Sequence, residues 1–280
     1  MHIHWFPGHM TKALRVMKTE AKLADIFIYV LDARMPGACV NKSFDAVIAG
    51  KPVLYVLNKA DLADVAKTEQ WLKHFKQKGS SAVAVTGSDS SNAKTLLAAL
   101  NALENKRAEK FESKGATVPR RVMVIGIPNS GKSTVINTLC GRKTAMTGNK
   151  PGVTRGKQWV RLSSGLELMD TPGTLYPSFD DQKKAALLAF AGSIKDDILD
   201  VNELALELIK ELDAQYGLLF REKYGIPAAI TSPDETLDCI CQKRGYLLKG
   251  GEPDRERGAR AVLDDFRKAR IGRLTLELPE

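Results

Sequence analysis

The sequence predicts an α/β fold with a mostly parallel sheet and helices on both faces, followed by a smaller all-α domain. Three observations predict it. Between Asp25 and about residue 110, short apolar runs rich in β-branched residues alternate with helical periods. Two loop motifs, Asn58-Lys-Ala-Asp61 and Gly126-Ile-Pro-Asn-Ser-Gly-Lys-Ser133, each follow such a run, where a parallel sheet presents its ligands. After Pro177 the strand signals stop, and only helical patterns remain. The boundary is expected there, with one domain over 1–177 and a second over 178–280.

The elements follow in order. Residues 10 to 24 read as an amphipathic helix, with Leu14, Met17, Ala21 and Ala24 on one face. Lys12, Arg15, Lys18 and Lys22 form a second stripe, either an ordinary solvated face or an RNA contact. Next come a strand at Ile26–Leu31, a helix near 41–49, a strand at Val53–Leu57, a helix near 66–78, a strand at Ala82–Val85 and a helix near 92–110. The polar segment Glu112–Thr117 leads through Pro119 into a strand at Val122–Ile125. Gln158–Leu162 and Leu166–Met169, separated by Ser163-Ser-Gly165, resemble a hairpin.

Beyond Pro177, Asp200-x-x-Glu203 precedes a helix with Leu204, Leu208, Ile209 and Leu212 on one side. Ser232-Pro-Asp-Glu235 is a capping box with proline at the first helical position. The last helix, about 253–270, offers Val262, Leu263, Phe266 and Ala269 as its apolar face, and Gly217, Gly225, Gly245 and Gly250-Gly251 supply stops.

Composition narrows the partners. The 280 residues, 44% hydrophobic, fill a normal core and exclude a disordered chain. A net charge of +9 suggests a polyanionic partner. Residues 242–273 carry 10 Lys/Arg against 5 Asp/Glu, whereas 174–241 carry 6 against 13, so a localised basic surface is expected, and the helical domain over 178–280 is the expected RNA- or ribosome-binding part. Cys39, Cys140, Cys239 and Cys241 read as reduced structural thiols, since none forms a C-x-x-C pair. No long apolar run or leader pattern stands out, and a cytoplasmic protein without a membrane partner is expected.

The loop motifs carry the chemistry. Gly126 and Gly131 let backbone amides turn inward at a helix start, where partial positive charge meets phosphate. Lys132 should reach the β- and γ-phosphates, Ser133 should place its hydroxyl on Mg²⁺, and Asn129, Ser130 and Thr134 complete the phosphate-binding set. Asp61 can accept from both N1–H and the exocyclic amine of guanine, a pair of donors that adenine lacks. Asn58 would brace the loops, and the Lys59 stem would cover one face of the base. Thr86-Gly87 could offer a backbone amide to guanine O6, though any small-residue turn has the same look. In Asp170-Thr-Pro-Gly173, Asp170 should hold Mg²⁺ through water and the Gly173 amide should meet the γ-phosphate. Thr154, in Pro151-Gly-Val-Thr-Arg155, is the expected second Mg²⁺ ligand.

The base-reading motif precedes the phosphate loop, the reverse of the usual order, so the first domain is expected to be a circularly permuted P-loop GTPase. After Gly173 come Thr174 and Leu175, not a water-orienting glutamine, so slow intrinsic hydrolysis and activation by a partner are expected. A GTP-sensing RNA-binding module whose hydrolysis is not essential is the alternative.

Trp5-Phe-Pro-Gly-His-Met10, Asp32-Ala-Arg-Met-Pro36, Asn58-Lys-Ala-Asp61, the phosphate loop, Pro151-Gly-Val-Thr154 and Asp170-Thr-Pro-Gly173 together resemble the bacterial ribosome biogenesis GTPase A family, of the YlqF type. The resemblance covers residues 1 to about 177 in order and continues less specifically beyond. It implies late assembly of the large (50S) ribosomal subunit, GTP and GDP as ligands, rRNA and ribosomal proteins as partners, and hydrolysis stimulated by the particle. It also implies a catalytic role for His9, which the residues alone leave as a loop or capping histidine, and a K⁺ site at Asn129. The family usually has an aliphatic residue where Thr174 stands; Leu175 could serve instead.

Overall fold

The computed structural model describes residue 3 and residues 8–104, 106–115, 118–141, 159–162, 164–175 and 181–280. These fall into two compact units, one of residues 5–178 with 277–280, the other of residues 1–4 with 179–276. The last four residues thus group with the first unit.

The first unit is a six-stranded sheet with helices around it. Its strands are β1 (Ile26–Asp32), β2 (Val53–Asn58), β3 (Ser81–Val85), β4 (Arg120–Ile125), β5 (Trp159–Arg161) and β6 (Leu166–Asp170), in the order β3-β2-β1-β4-β6-β5. All pair in parallel except β5, which closes the expected hairpin against β6. β1 is buried along its whole length, which is why Ile26-Phe-Ile-Tyr-Val-Leu31 is uninterruptedly apolar rather than alternating. Ile28, Val30, Val56, Val124 and Leu168 from four strands meet Leu96, Leu100 and Ile136 from helices in one core.

The helices of this unit are α1 (Gly8–Glu20), α2 (Pro36–Cys39), α3 (Asp45–Ile48), α4 (Val65–Gln77), α5 (Asn92–Asn101), α6 (Lys106–Glu112) and α7 (Lys132–Cys140). Two expectations are corrected. The helix near 41–49 is a 3₁₀ turn capped by Asn41, whose side chain accepts from the Ser43 amide, followed by the single turn of α3. The helix over 92–110 is two helices, because the chain turns after Asn101 and brings Leu103 against the core. On α1, Met17 is buried as its period predicts, and Lys12, Arg15, Lys18 and Lys22 are all exposed. Among the described residues none of these four cations is in an ion pair.

The second unit is helical: α8 (Gln182–Phe190), α9 (Val201–Tyr224), α10 (Pro233–Arg244) and α11 (Arg255–Arg267). Asp200 caps α9 through the amides of Asn202 and Glu203, and Ser232 caps α10 through the amide of Glu235, as their motifs predict. The stop expected at Gly217 falls at a break inside α9, where two helical segments meet across a kink. The helix bends at Tyr216 (φ −139°, ψ 31°), whose hydroxyl is held by the Thr275 backbone, and then continues to Gly225. α8 has no counterpart among the elements expected from the sequence. It ends where Arg267 donates to the carbonyls of Ala189 and Phe190 while pairing with Asp196 at 2.6 Å.

That pairing is one of several in the helical unit. Six of the ten basic side chains in 242–273 are engaged by carboxylates: Arg244, Arg255, Arg260, Arg267, Lys268 and Arg270. Some of the acids come from the acidic stretch upstream, so the two charge-biased segments offset each other. No helix among the described residues is long and apolar enough to cross a membrane.

Asp264 and Asp265 are adjacent but differ sharply. Asp265, 1% exposed, accepts from Tyr224 Oη at 2.8 Å and pairs with Arg244 at 2.8 Å and Arg270 at 3.1 Å. The Asp264 side chain, 43% exposed, pairs with Lys268 and Arg270 at the surface. Asp265→Ala is therefore expected to cost about 3 kcal/mol, because it removes a buried carboxylate and strands the buried Tyr224 hydroxyl and the half-buried Arg244. Asp264→Ala should cost no more than about 1 kcal/mol. Urea unfolding followed by circular dichroism checks the difference.

Candidate nucleotide site

β2 and β4 flank β1, and the loops leaving their C-terminal ends are tied together across it. Asn58, 2% exposed, donates from Nδ2 to the Ser130 carbonyl at 2.8 Å and accepts at Oδ1 from the Gly87 amide, also at 2.8 Å. One carboxamide thus joins the ends of β2, β3 and β4. Lys59 Nζ makes a second tie, donating to the Asn129 carbonyl at 2.7 Å and to Asp32 Oδ2 at 2.8 Å. Lys59 (φ 61°) and Asn129 (φ 58°) are two of only three non-glycine left-handed residues among those described. Such conformations persist where the surroundings over-determine them, and here each loop fixes the other.

The glycines are shaped by the same packing. A Cβ at Gly131 (φ 93°) would collide with Asn58 Nδ2, and one at Gly87 would lie 2.6 Å from Asn58 Oδ1. At Gly173 a Cβ would lie 2.7 Å from Pro128 and 2.8 Å from Lys132 Nζ, so Gly173 packs directly on the phosphate loop. The Gly87 amide is spent on Asn58, and the Gly87 carbonyl accepts from Thr138 Oγ1.

Lys132 is buried at the start of α7, and its ammonium donates to the Ile127 carbonyl at 2.8 Å. Burial pushes the ammonium down to about 8; Asp170 opposes this and Lys59 adds to it. Ser133 Oγ donates to Asp170 Oδ2 at 2.7 Å. A hydroxyl and a carboxylate held together at a helix start, next to a phosphate-loop lysine, are the hard oxygen donors that suit Mg²⁺. Thr134 follows in the first turn of α7. Asp61 is exposed, near enough to Arg34 to raise that guanidinium's pKa, although burial lowers it more strongly and the Asp32 charge contributes most of the compensating rise. Thr86 lies at the end of β3, its carbonyl accepting from Asn92 at 3.2 Å. Thr154 lies outside the described residues.

Three features were not read from the sequence as parts of the site. Asp32 and Arg34 form a buried pair at 2.7 Å. Thr171 Oγ1 anchors the Asp170-Thr-Pro-Gly173 loop to the Val124 carbonyl at 2.6 Å. Met10, at the start of α1, accepts at Sδ from the Leu175 amide at 3.5 Å, which brings the segment containing His9 to the residues just after Gly173. A charged Asp-x-Arg closing an apolar strand was the available signal for the first; nothing local announced the others. Leu175 is fully buried, and so is Thr174, whose Oγ1 has no hydrogen-bond partner among the described residues.

A phosphate loop and a guanine-type loop meeting across one strand of a parallel sheet, with the order of halves exchanged along the chain, define a circularly permuted P-loop GTPase. The sequence family described as "50S ribosome-binding GTPase" matches residues 121–226. The chain is 39% identical to ribosome biogenesis GTPase A of Bacillus cereus, over 100% of this chain and 95% of that one. It is 32% identical to the Thermotoga maritima protein of the same name, over 99% and 94%. It also matches a GDP-bound structure of T. maritima YlqF with a TM-score of 0.71 at 29% identity, over 95% of this chain and 99% of that one. The chain belongs to the ribosome biogenesis GTPase A family: it is a GTP hydrolase of a group that serves ribosome assembly and generally uses Mg²⁺.

The depressed Lys132 pKa has a measurable sign. Between about 8 and the ordinary lysine value the folded chain holds fewer protons than the unfolded one. The burial penalty on stability is therefore complete below about pH 8, fades as pH rises from there toward the ordinary lysine value, and is gone above it. A bound phosphate restores the charge, so GDP binding at pH 8.5 should take up protons, and affinity should fall as pH rises above about 8. Calorimetry in two buffers of different ionisation enthalpy measures the uptake; a pH-independent affinity between 7 and 9 would contradict it.

Proposed function

We propose that this chain binds GTP with Mg²⁺ and hydrolyses it to GDP and phosphate during late assembly of the large ribosomal subunit, with turnover stimulated by the ribosomal particle in the cytoplasm. The observation that carries the reading is the Asn58–Ser130 hydrogen bond, which ties the loop proposed to read the base to the phosphate loop. Asp61 would accept from the guanine edge, with Asn58 and Gly87 bracing the loop and Thr86 beside it. The Lys59 stem would lie along the base. Amides of Asn129, Ser130, Gly131, Lys132, Ser133 and Thr134 would cradle the phosphates, and the Lys132 ammonium would leave the Ile127 carbonyl for them. Ser133, Asp170 and Thr154 would hold Mg²⁺, which supplies charge neutralisation at the β- and γ-oxygens. Asn129 would hold K⁺ beside the transferred phosphoryl group. The Gly173 amide would meet the γ-phosphate, supported by its packing on Pro128.

His9 is proposed as the catalytic side chain. Its place in the first turn of α1, one residue before Met10, supports this through the Met10–Leu175 contact. Rather than 242–273, where most cations are paired, the exposed Lys12, Arg15, Lys18 and Lys22 offer phosphate contacts for rRNA.

Sedimentation with purified large subunits tests the partner. The chain should pellet with them in a non-hydrolysable GTP analogue and stay in the supernatant with GDP; equal pelleting in both states, or none, would defeat the reading. His9→Ala should lower subunit-stimulated hydrolysis at least tenfold while leaving GDP affinity within twofold, as read by turnover and by fluorescence titration with mant-GDP.

A further inference from the structure

Asp32, at the end of β1, is 1% exposed and carries two cations. Arg34, equally buried, donates from Nη2 to Oδ2 at 2.7 Å and from Nε to Oδ1 at 2.9 Å. Lys59 Nζ donates to the same Oδ2 at 2.8 Å and, at 2.7 Å, to the Asn129 carbonyl. The register of the sheet sets this up: Asp32 is the β1 partner of Asn58, and the Ala33 amide donates to the Asn58 carbonyl at 2.8 Å. Burial opposes ionisation of Asp32, but the Arg34 and Lys59 charges outweigh it and hold its carboxyl well below the usual range.

A buried ion pair is a weak source of stability, because desolvation offsets most of its attraction and apolar replacements often serve as well. What this one does that a leucine cannot is fix an ammonium at a stated place. Lys59 is a long side chain on a left-handed residue, and extending it between two loops loses rotamer entropy. With the Asn129 carbonyl as its only acceptor the ammonium would be free to swing to water. Asp32 supplies the charge that keeps it stretched, and Arg34 orients Asp32 through a two-pronged contact that leaves Oδ2 shared.

We propose that Asp32 is a positioning residue for guanine nucleotide binding: held by Arg34, its carboxylate fixes Lys59 in the extended form that reaches the Asn129 carbonyl, so that base loop and phosphate loop stand prearranged as one site. This rests on the GTP-site reading above. It gives the Asp32-Ala-Arg34 run a task distinct from touching the nucleotide.

A double-mutant cycle read by mant-GDP affinity tests it, because residues acting through one another fail to add. Asp32→Asn is expected to weaken binding about tenfold, and Lys59→Met also to weaken it. The double variant should bind no more than about twofold worse than Lys59→Met alone. Losses that simply add would overturn the inference, since Asp32 would then act without Lys59; so would an Asp32→Asn affinity equal to that of the native chain. If Asp32→Asn fails to fold, Asp32→Asn/Arg34→Met removes both buried charges together, and in the same cycle with Lys59→Met non-additive losses support the inference and additive ones overturn it. A native chain that takes no mant-GDP would sink the GTP-site reading and this inference with it, whereas additive losses sink the inference alone.

Discussion

A single carboxamide holds the site together. Asn58 uses its donor end on the phosphate loop and its acceptor end on the turn after β3, so three strand ends are fastened by one buried side chain. Neighbouring strands lie about 4.8 Å apart, so the ends of β2 and β4 are separated by roughly twice that. The Asn58 and Lys59 side chains close that gap, reaching the Ser130 and Asn129 carbonyls. The constraint runs back into the loops themselves: Gly131 and Gly87 must lack side chains because Asn58 occupies the space, quite apart from any approach by phosphate.

The exchanged order of halves leaves this geometry untouched, because a parallel sheet is defined by which strands pair and not by the loops that join them. What the exchange does alter is the company each loop keeps. The start of the chain, through Met10, reaches the segment that follows Asp170-Thr-Pro-Gly173. The Asp32–Cys39 stretch leaves β1 between the two motif strands. From it Asp32 takes the Lys59 ammonium, and just beyond, the Asn41 side chain reaches the Thr174 carbonyl at 3.5 Å.

Charge follows a similar logic. The basic excess of 242–273 looked like a polyanion-binding surface, yet most of those cations close ion pairs within the helical unit, and Arg267 turns inward to end a helix. The less conspicuous stripe on α1 keeps its four cations exposed. A count along the chain cannot separate these cases, since Asp196, Asp234 and Asp238 lie far in sequence from the arginines they meet.

Much of the molecule was legible in advance. The strands were readable because burial on both faces leaves a run such as Ile26–Leu31 with no polar interruption, and the helix starts at Asp200 and Ser232 because a cap is a contact between residues two or three apart. The motif glycines and Lys132 were readable for the same reason: phosphate cradling is a property of a few consecutive residues. The break after Asn101 and the burial of Thr174 were not, since each is imposed by a distant partner: the sheet core, or the packing around the end of β6. By itself, then, the sequence determined the elements, their ends and the two loops that mark the chemistry, all set by interactions within a few residues. Only the tertiary structure decided which side chains tie those loops together, that Asp32 holds the Lys59 ammonium between them and which cations stay exposed. Those outcomes depend on strand order and on ion pairs between residues far apart in the chain, and local pattern carries no record of either.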